Sequence, residues 1–233
     1  MINRKRVLCL ILARGGSKGV KNKNIRILNG EPVLSYAIKS AKKSKFIDRI
    51  ILSSDDDRIR KIGIKYGVEA PFKRPKALAK DNSNVNDAFL HALNWVEKDE
   101  KRKYDYIIQI QCTNPMVLSK DIDAVISKLD KTKADSVISV NKIESYHPAR
   151  IKKIIRDKIT DFGAKEIPFS NRQKLKPDAY IRNGSIYSCR RNKVLMRVGS
   201  KNSRPYIMPA ERSINIDSEI EFKLAEISLK NNI

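Results

Sequence analysis

Apolar and polar positions along this chain keep switching between two periods, one suited to buried strands and the other to helix faces. The first signal is the unbroken run Val7-Leu8-Cys9-Leu10-Ile11-Leu12, which reads as a fully buried strand. It stops at Ala13-Arg14-Gly15-Gly16-Ser17-Lys18-Gly19, followed by Lys21, Lys23 and Asn24. Glu31-Pro32 opens an amphipathic helix through Val33, Leu34, Ala37, Ile38 and Ala41, with proline at a tolerated first-turn position. A short strand over 49–53 ends in Ser54-Asp55-Asp56-Asp57, an acidic run suited to capping the next helix and complementing its dipole. That helix shows its face as Ile59, Ile62, Gly63 and Tyr66, and Gly67 stops it.

After a loop rich in Pro and Lys (71–81), Ala88, Phe89, Ala92, Leu93 and Val96 form another inward helix face. Strand signals follow at 106–110 and 134–140, with a helix over 121–129 between them. This alternation predicts an α/β fold, a doubly wound and mostly parallel sheet with ligands at the strand C-terminal ends. From about 142 to 206 the helical rhythm fades. Short β-like pieces at 150–155 and 184–189 bracket a polar stretch, 160–180, and are expected to form a small β-rich lobe off the sheet, used for dimerisation or for a second substrate. Ile220, Phe222, Leu224, Ala225 and Ile227 predict a closing helix. No repeat or low-complexity linker is visible, so residues 1–233 are expected to form one domain carrying that inserted lobe.

Composition narrows the choice of function. Hydrophobic residues make up 41% of the 233, enough for a globular core, and no apolar run has the length of a membrane helix. The basic start, Met1 to Arg6, superficially imitates a secretory leader. It lacks a small-residue cleavage site, and its apolar run leads straight into the glycine loop. Cys9, Cys112 and Cys189 are odd in number and widely spaced, which suits free thiols in a reducing cytoplasm. The formal net charge of +23 invites a nucleic-acid partner, but the cations are scattered from Arg4 to Lys230 and aromatic residues reach only 6%. Without a base-stacking platform, a dedicated nucleic-acid role is not favoured over non-specific adhesion to polyanions.

The glycine loop carries the sharper chemistry. Glycine lets backbone N–H groups approach an anion closely, and Arg14, Lys18, Lys21 and Lys23 supply charge where a triphosphate would gather. The spacing of Gly15, Gly16 and Gly19 fits neither the Walker pattern nor the dinucleotide fingerprint. The competing reading is a solvated basic turn. Asn215 and Asp217 would share one face of an extended segment and bind a hard cation such as Mg²⁺ with phosphate oxygens. Asp217 equally suits the N-cap of the last helix. His91 and His147 read as structural.

Together these segments resemble the cytidylyltransferases that activate acidic nonulosonic sugars, the CMP-sialic acid synthetases with their legionaminic and pseudaminic relatives. Besides the glycine loop with Lys23-Asn24, the likeness is carried by Phe72-Lys73-Arg74-Pro75 with Leu78-Ala79-Lys80-Asp81, and by Gln111-Cys112-Thr113-Asn114-Pro115. Arg182-Asn183-Gly184-Ser185-Ile186-Tyr187, and Tyr206-Ile207-Met208 followed by Ser213 to Asp217, complete it. The resemblance implies a Rossmann-like nucleotidyltransferase fold, a homodimer, CTP and an acidic nine-carbon sugar as substrates, and Mg²⁺ held by Asp217 and Asn215. In it, Ala13, Arg14, Gly15, Gly16, Ser17, Lys18 and Lys23 hold the triphosphate, with Arg14, Lys18 and Lys23 neutralising charge during transfer. Asn24 and Arg74 contact the ribose or cytosine, and Asp81 organises the pocket. Gln111, Arg150, Arg172, Asn183 and Tyr187 line the sugar side, where a guanidinium can hold a carboxylate through two hydrogen bonds.

Several positions depart from the family pattern. Asn215 stands where an aspartate is usual, Thr113 where the Kdo-activating relatives place another aspartate, and Val117 where an arginine follows. Val198-Gly199 replaces an aromatic pair, and the spacer from Arg172 to Asn183 is one residue longer. Another sugar nucleotidyltransferase on the same scaffold, or a nucleotide- or polyanion-binding protein without catalysis, are the alternative readings.

Overall fold

The structure is a computed structural model that describes residues 1–163 and 171–231. The leading apolar run forms β1 (Val7–Leu12), buried along its whole length. Two short strands, β2 (Ile27–Leu28) and β3 (Glu31–Pro32), pair across Asn29 and Gly30, which both take positive φ (46° and 84°), as a two-residue hairpin turn requires. Then come α1 (Val33–Lys42), β4 (Arg49–Ser53), α2 (Asp57–Lys65) and α3 (Val85–Asp99). Next in the chain are β5 (Tyr106–Ile110), α4 (Ser119–Thr132), β6 (Ser136–Lys142), β7 (Lys152–Ile155) and β8 (Lys158–Asp161). The last elements are β9 (Tyr180–Arg190), β10 (Ser203–Ile207) and α5 (Glu219–Lys230). As the acidic run suggests, Asp56 caps α2 by accepting the Arg58 N–H at 2.7 Å.

The main sheet has the order β10-β6-β9-β5-β1-β4. Every neighbouring pair in it is parallel except those made by β9, which runs against β5 on one side and β6 on the other. Because β1 alternates, Val7, Cys9 and Ile11 pack with residues of α1, α2 and α4 on one face. Leu8, Leu10 and Leu12 pack with Phe89, Ala92, Leu93 and Val96 of α3 on the other. Helices therefore cover both faces, the doubly wound arrangement that the alternation predicts. Burying each leucine, isoleucine, valine or phenylalanine side chain among them contributes roughly 1.5–3 kcal/mol. A third cluster (Val20, Leu28, Val33, Ile216, Phe222, Ala225) seats α5 against the β2–β3 hairpin and fixes the C-terminal block beside the glycine loop. No helix among the described residues is long and apolar enough to cross a membrane.

The segment expected to leave the sheet does so only in part. Residues 184–189 lie inside β9, between two central strands, and β10 forms an edge, where Pro205 is tolerated because no further ladder bond is needed there. The β7–β8 hairpin does stand apart from the main sheet. The polar break in β9 hides its strand character. Between the pairs Ile138↔Tyr187 and Val140↔Arg182, Ser139 alone faces residues 183–186, so β9 bulges there with Gly184 at φ +70°.

Candidate active site

The glycine loop leaves the C-terminal end of β1 and is tied down at several points. Ala13 N–H donates to the Ser53 carbonyl (3.1 Å) and Gly15 N–H to Asp55 Oδ1 (3.0 Å), so β4 anchors its first turn. Asn24, 5% exposed, donates from Nδ2 to the Arg14 carbonyl at 2.9 Å. Lys23 Nζ reaches across to the Ile216 carbonyl (2.5 Å) and to Asp217 Oδ1 (2.8 Å), joining the loop to the C-terminal block. At Gly19 the two segments touch so closely that a Cβ would lie 1.9 Å from the Asp217 carbonyl oxygen. The N–H groups of Gly16, Ser17 and Lys18 have no partner among the described residues and remain as donors.

A cavity of about 510 Å³ opens beside this loop, at the C-terminal ends of β1 and β5. Its wall brings together Arg14, Ser17, Lys18, Lys23, Asn24, Arg74, Gln111, Tyr187, Asn215 and Asp217, residues drawn from five separate stretches of chain. Arg14 Nη1 and Lys18 Nζ both pair with Asp81, at 2.7 and 2.9 Å. Lys18 first, then Arg14, hold the Asp81 carboxyl below the usual carboxylate range. Arg74 is 4% exposed, and among the described residues its side chain bonds only to Ser53, through Nε to Oγ at 3.0 Å and through Nη2 to the carbonyl. Burial pulls its pKa below that of an ordinary arginine, partly opposed by nearby Asp55. Cys112 donates to Asn24 Oδ1, and burial pushes its thiol up to about 11, so it is a neutral wall group rather than a nucleophile.

In the C-terminal block, the buried Ile216 separates Asn215 and Asp217, which both face the cavity although no ladder strand forms there. Thr113 Oγ1 donates to Asn215 Oδ1 (2.5 Å), and Asn215 Nδ2 donates to Asp217 Oδ2 (2.5 Å). Asp217 does not cap the last helix. Ser218 does, in a capping box with Glu221, which leaves the Asp217 carboxylate to the cavity.

These features converge on nucleotide chemistry, and a sequence profile of the family described as Cytidylyltransferase matches residues 8–228. The chain belongs to the cytidylyltransferase family. Post-translational flagellin modification protein B of Campylobacter coli is 34% identical over 226 residues, covering 96% of this chain and 95% of that protein. CMP-N,N'-diacetyllegionaminic acid synthase of Campylobacter jejuni is 34% identical over 229 residues, covering 97% and 96%. Among solved structures, CMP:2-keto-3-deoxy-manno-octonic acid synthetase complexed with CTP overlays with a TM-score of 0.70 at 16% identity, covering 98% of this chain and 100% of that one. At that identity the likeness concerns the fold.

Within this cytidylyltransferase, some residues named from sequence stand elsewhere. Ala13 is buried in the core and Gly15 spends its N–H on Asp55, so neither lines the cavity. Asn183, placed on the sugar side by resemblance, is 6% exposed and accepts from Ser139 Oγ while donating to Ser213 Oγ. It pins the β9 bulge from behind. Arg150 ends the turn Pro148–Arg150, outside the cavity wall, and the side chain of Arg172 lies outside the described residues. His147 holds the Pro177 carbonyl and the Ala149 N–H, and His91 packs edge-on against Phe72, so neither histidine reaches the cavity wall. Sequence reasoning missed Asp55 as the anchor of the glycine loop, and it missed Val85 in the wall. The cap signal of Asn84 was the only local hint that the start of α3 matters.

Proposed function

We propose that this cytidylyltransferase moves CMP from CTP to the anomeric hydroxyl of an acidic nonulosonic sugar of the sialic, legionaminic or pseudaminic type, releasing pyrophosphate. The observation that carries the reading is the single cavity in which the cations of the glycine loop meet Asn215 and Asp217. The legionaminic acid synthase, similar over nearly the whole chain, supports the acceptor class.

In the reaction the sugar hydroxyl oxygen forms a bond to the α-phosphorus, the bond from that phosphorus to the bridging oxygen breaks, and the hydroxyl proton passes to solvent. Such transfer depends on alignment and on neutralising spreading negative charge. Arg14 and Lys18 are placed for the phosphates once these exchange Asp81 for the ligand. Lys23 keeps the loop and Asp217 in register. Arg74 and Asn24 form the deeper wall, suited to the nucleoside.

Mg²⁺ belongs to the proposal. Asp217 offers an exposed carboxylate beside Asn215 and Thr113, whose neutral oxygens complete a donor set that fits a cation whose other ligands are phosphates and water. Bound there, it would neutralise phosphate charge during transfer. A homodimer through the β7–β8 hairpin is also proposed, supported by Ile154, Ile159 and Phe162, which stand 74%, 72% and 67% exposed. Three buried, unpaired cysteines support a reducing, cytoplasmic setting.

Pyrophosphate release with CTP and a panel of nonulosonic acids tests the reading. Turnover with at least one of them is expected, and Lys18→Ala should lower it at least tenfold while leaving the unfolding curve unchanged. CTP binding without turnover of any nonulosonic acid would sink the acceptor assignment.

A further inference from the structure

Val85, Gln111 and Tyr187 belong to two cavities at once. Beyond the nucleotide cavity, this shared wall leads into a second space of about 280 Å³, reaching Asn86 on α3, Gln109 on β5, Arg182, and Arg197 in the segment after β9. Arg197 is the unusual group here. Although it is 4% exposed, its side-chain partners among the described residues are all neutral. Nε donates to Gln109 Oε1 (3.3 Å), Nη1 donates to Asn86 Oδ1 (2.5 Å), and the guanidinium carbon lies 4.4 Å from the centre of the Phe89 ring.

Even the half-buried arginines that tie elements together are mostly paired with carboxylates in this protein. Arg6 meets Glu100, Arg49 meets Glu69 and Glu100, Arg191 meets Glu97, and Arg212 meets Asp121. Arg197 has no such carboxylate among the described residues. Arginine stays charged in proteins, and a buried charge without a counter-charge is strongly unfavourable. Of its five N–H donors, those given to Gln109 and Asn86 leave three over, Nη2 being wholly uncommitted. Because a guanidinium only donates, Gln109 must turn its oxygen toward it, which leaves the Gln109 NH₂ as a further donor for the same space. Arg74, the other deeply buried arginine, lies in the adjoining cavity and has Asp55 nearby, so Arg197 stands out as the buried arginine without a facing carboxylate among the described residues.

We propose that Arg197 is the carboxylate anchor of the acceptor pocket and the residue that selects acidic sugars. The proposal rests on the acceptor class given above. In a 2-keto acid sugar the carboxylate is attached to the carbon bearing the attacking hydroxyl. The two groups must therefore part at the shared wall, the hydroxyl toward the α-phosphate and the carboxylate into the second space. There the free edge of the guanidinium accepts it, with Arg182 and the Gln109 amide alongside. The buried charge gains its counter-ion only when an acidic acceptor arrives, and a neutral sugar leaves it unpaired.

The test uses the full chain with Arg197→Gln and Arg197→Lys. Three quantities are read: the CTP dissociation constant by calorimetry, kcat/KM for the acceptor acid, and the ratio of kcat/KM for the acid to that for its C1 carboxamide. In both variants CTP affinity should stay within about twofold. In the Gln variant kcat/KM for the acid should fall roughly 10- to 150-fold, and its preference for acid over carboxamide should collapse by a similar factor. The Lys variant should retain part of that preference. If Arg197→Gln keeps the wild-type preference, the proposal is overturned while the acceptor reading stands. Loss of CTP binding in both variants would make Arg197 a structural residue and overturn it as well. Wild-type protein that binds CTP but turns over no 2-keto acid would overturn the acceptor reading and the proposal together.

Discussion

Replacing Gly19 by alanine tests the contact on which the whole cavity depends. A Cβ there would sit 1.9 Å from the Asp217 carbonyl oxygen, and real Cβ contacts essentially never fall below 3.0 Å. The oxygen belongs to the backbone, so no rotamer change relieves the clash. The glycine loop and the C-terminal block must separate by about 1.1 Å. Overpacking of this kind costs about 1–3 kcal/mol. The same displacement pulls Lys23 away from Asp217 and the Ile216 carbonyl, and a misplacement of about 1 Å in a reacting geometry costs on the order of 100-fold in rate. Urea unfolding and pyrophosphate release measure the two effects separately. Gly16→Ala is the steric control, because nothing lies within 4 Å of a Cβ at that position, and its stability should change by less than about 0.5 kcal/mol. Equal stability of the two variants, with full turnover by Gly19→Ala, would refute the close approach.

Asn215→Asp would set a second carboxylate against Asp217 in place of the amide that now donates to it. The pair should then need a cation between them, and the Mg²⁺ concentration giving half-maximal turnover should fall about tenfold; an unmoved titration would mean that position 215 is not a ligand. Asp121 is fully buried against Arg212 and Tyr206, and Asp121→Asn should cost about 3–5 kcal/mol in urea unfolding, with a loss below about 1 kcal/mol counting against the pair. Burial raises the Asp121 pKa, but the hydrogen bonds from Arg212, the Leu118 N–H and the Tyr206 hydroxyl leave it below the ordinary aspartate value. Its contribution is therefore complete above that ordinary value and is lost as pH falls through the lower folded-state value. Wild-type unfolding followed into acid should show this loss, and the Asn variant should show less of it.

Where local chemistry decides structure, the sequence already carried the answer. The run at Val7–Leu12 reads as a buried strand, and the glycines and cations after it mark the end of the sheet where the cavity opens. Ser218-x-x-Glu221 also holds a readable capping-box signal, which outranks Asp217 as a cap. Three other features depend on contacts remote in sequence. The central position of β9 follows from pairing with β5 and β6 on either side, and no pattern within 180–190 announces it. The family resemblance puts Asn183 on the sugar side, yet its amide is used to hold the bulge. Arg197, flanked by Leu195, Met196 and Val198, is one arginine among many until folding surrounds it with Phe89, Gln109 and Asn86.

The reversed strand between β5 and β6 also governs how the chain can assemble on the ribosome. Until β9 (Tyr180–Arg190) has emerged, the nascent chain can bring β4, β1 and β5 together, but β5 keeps one edge with unsatisfied N–H and C=O groups along Tyr106–Ile110. The chain must be synthesised through Arg190 before that edge closes, and the interval exposes it to adventitious strand addition.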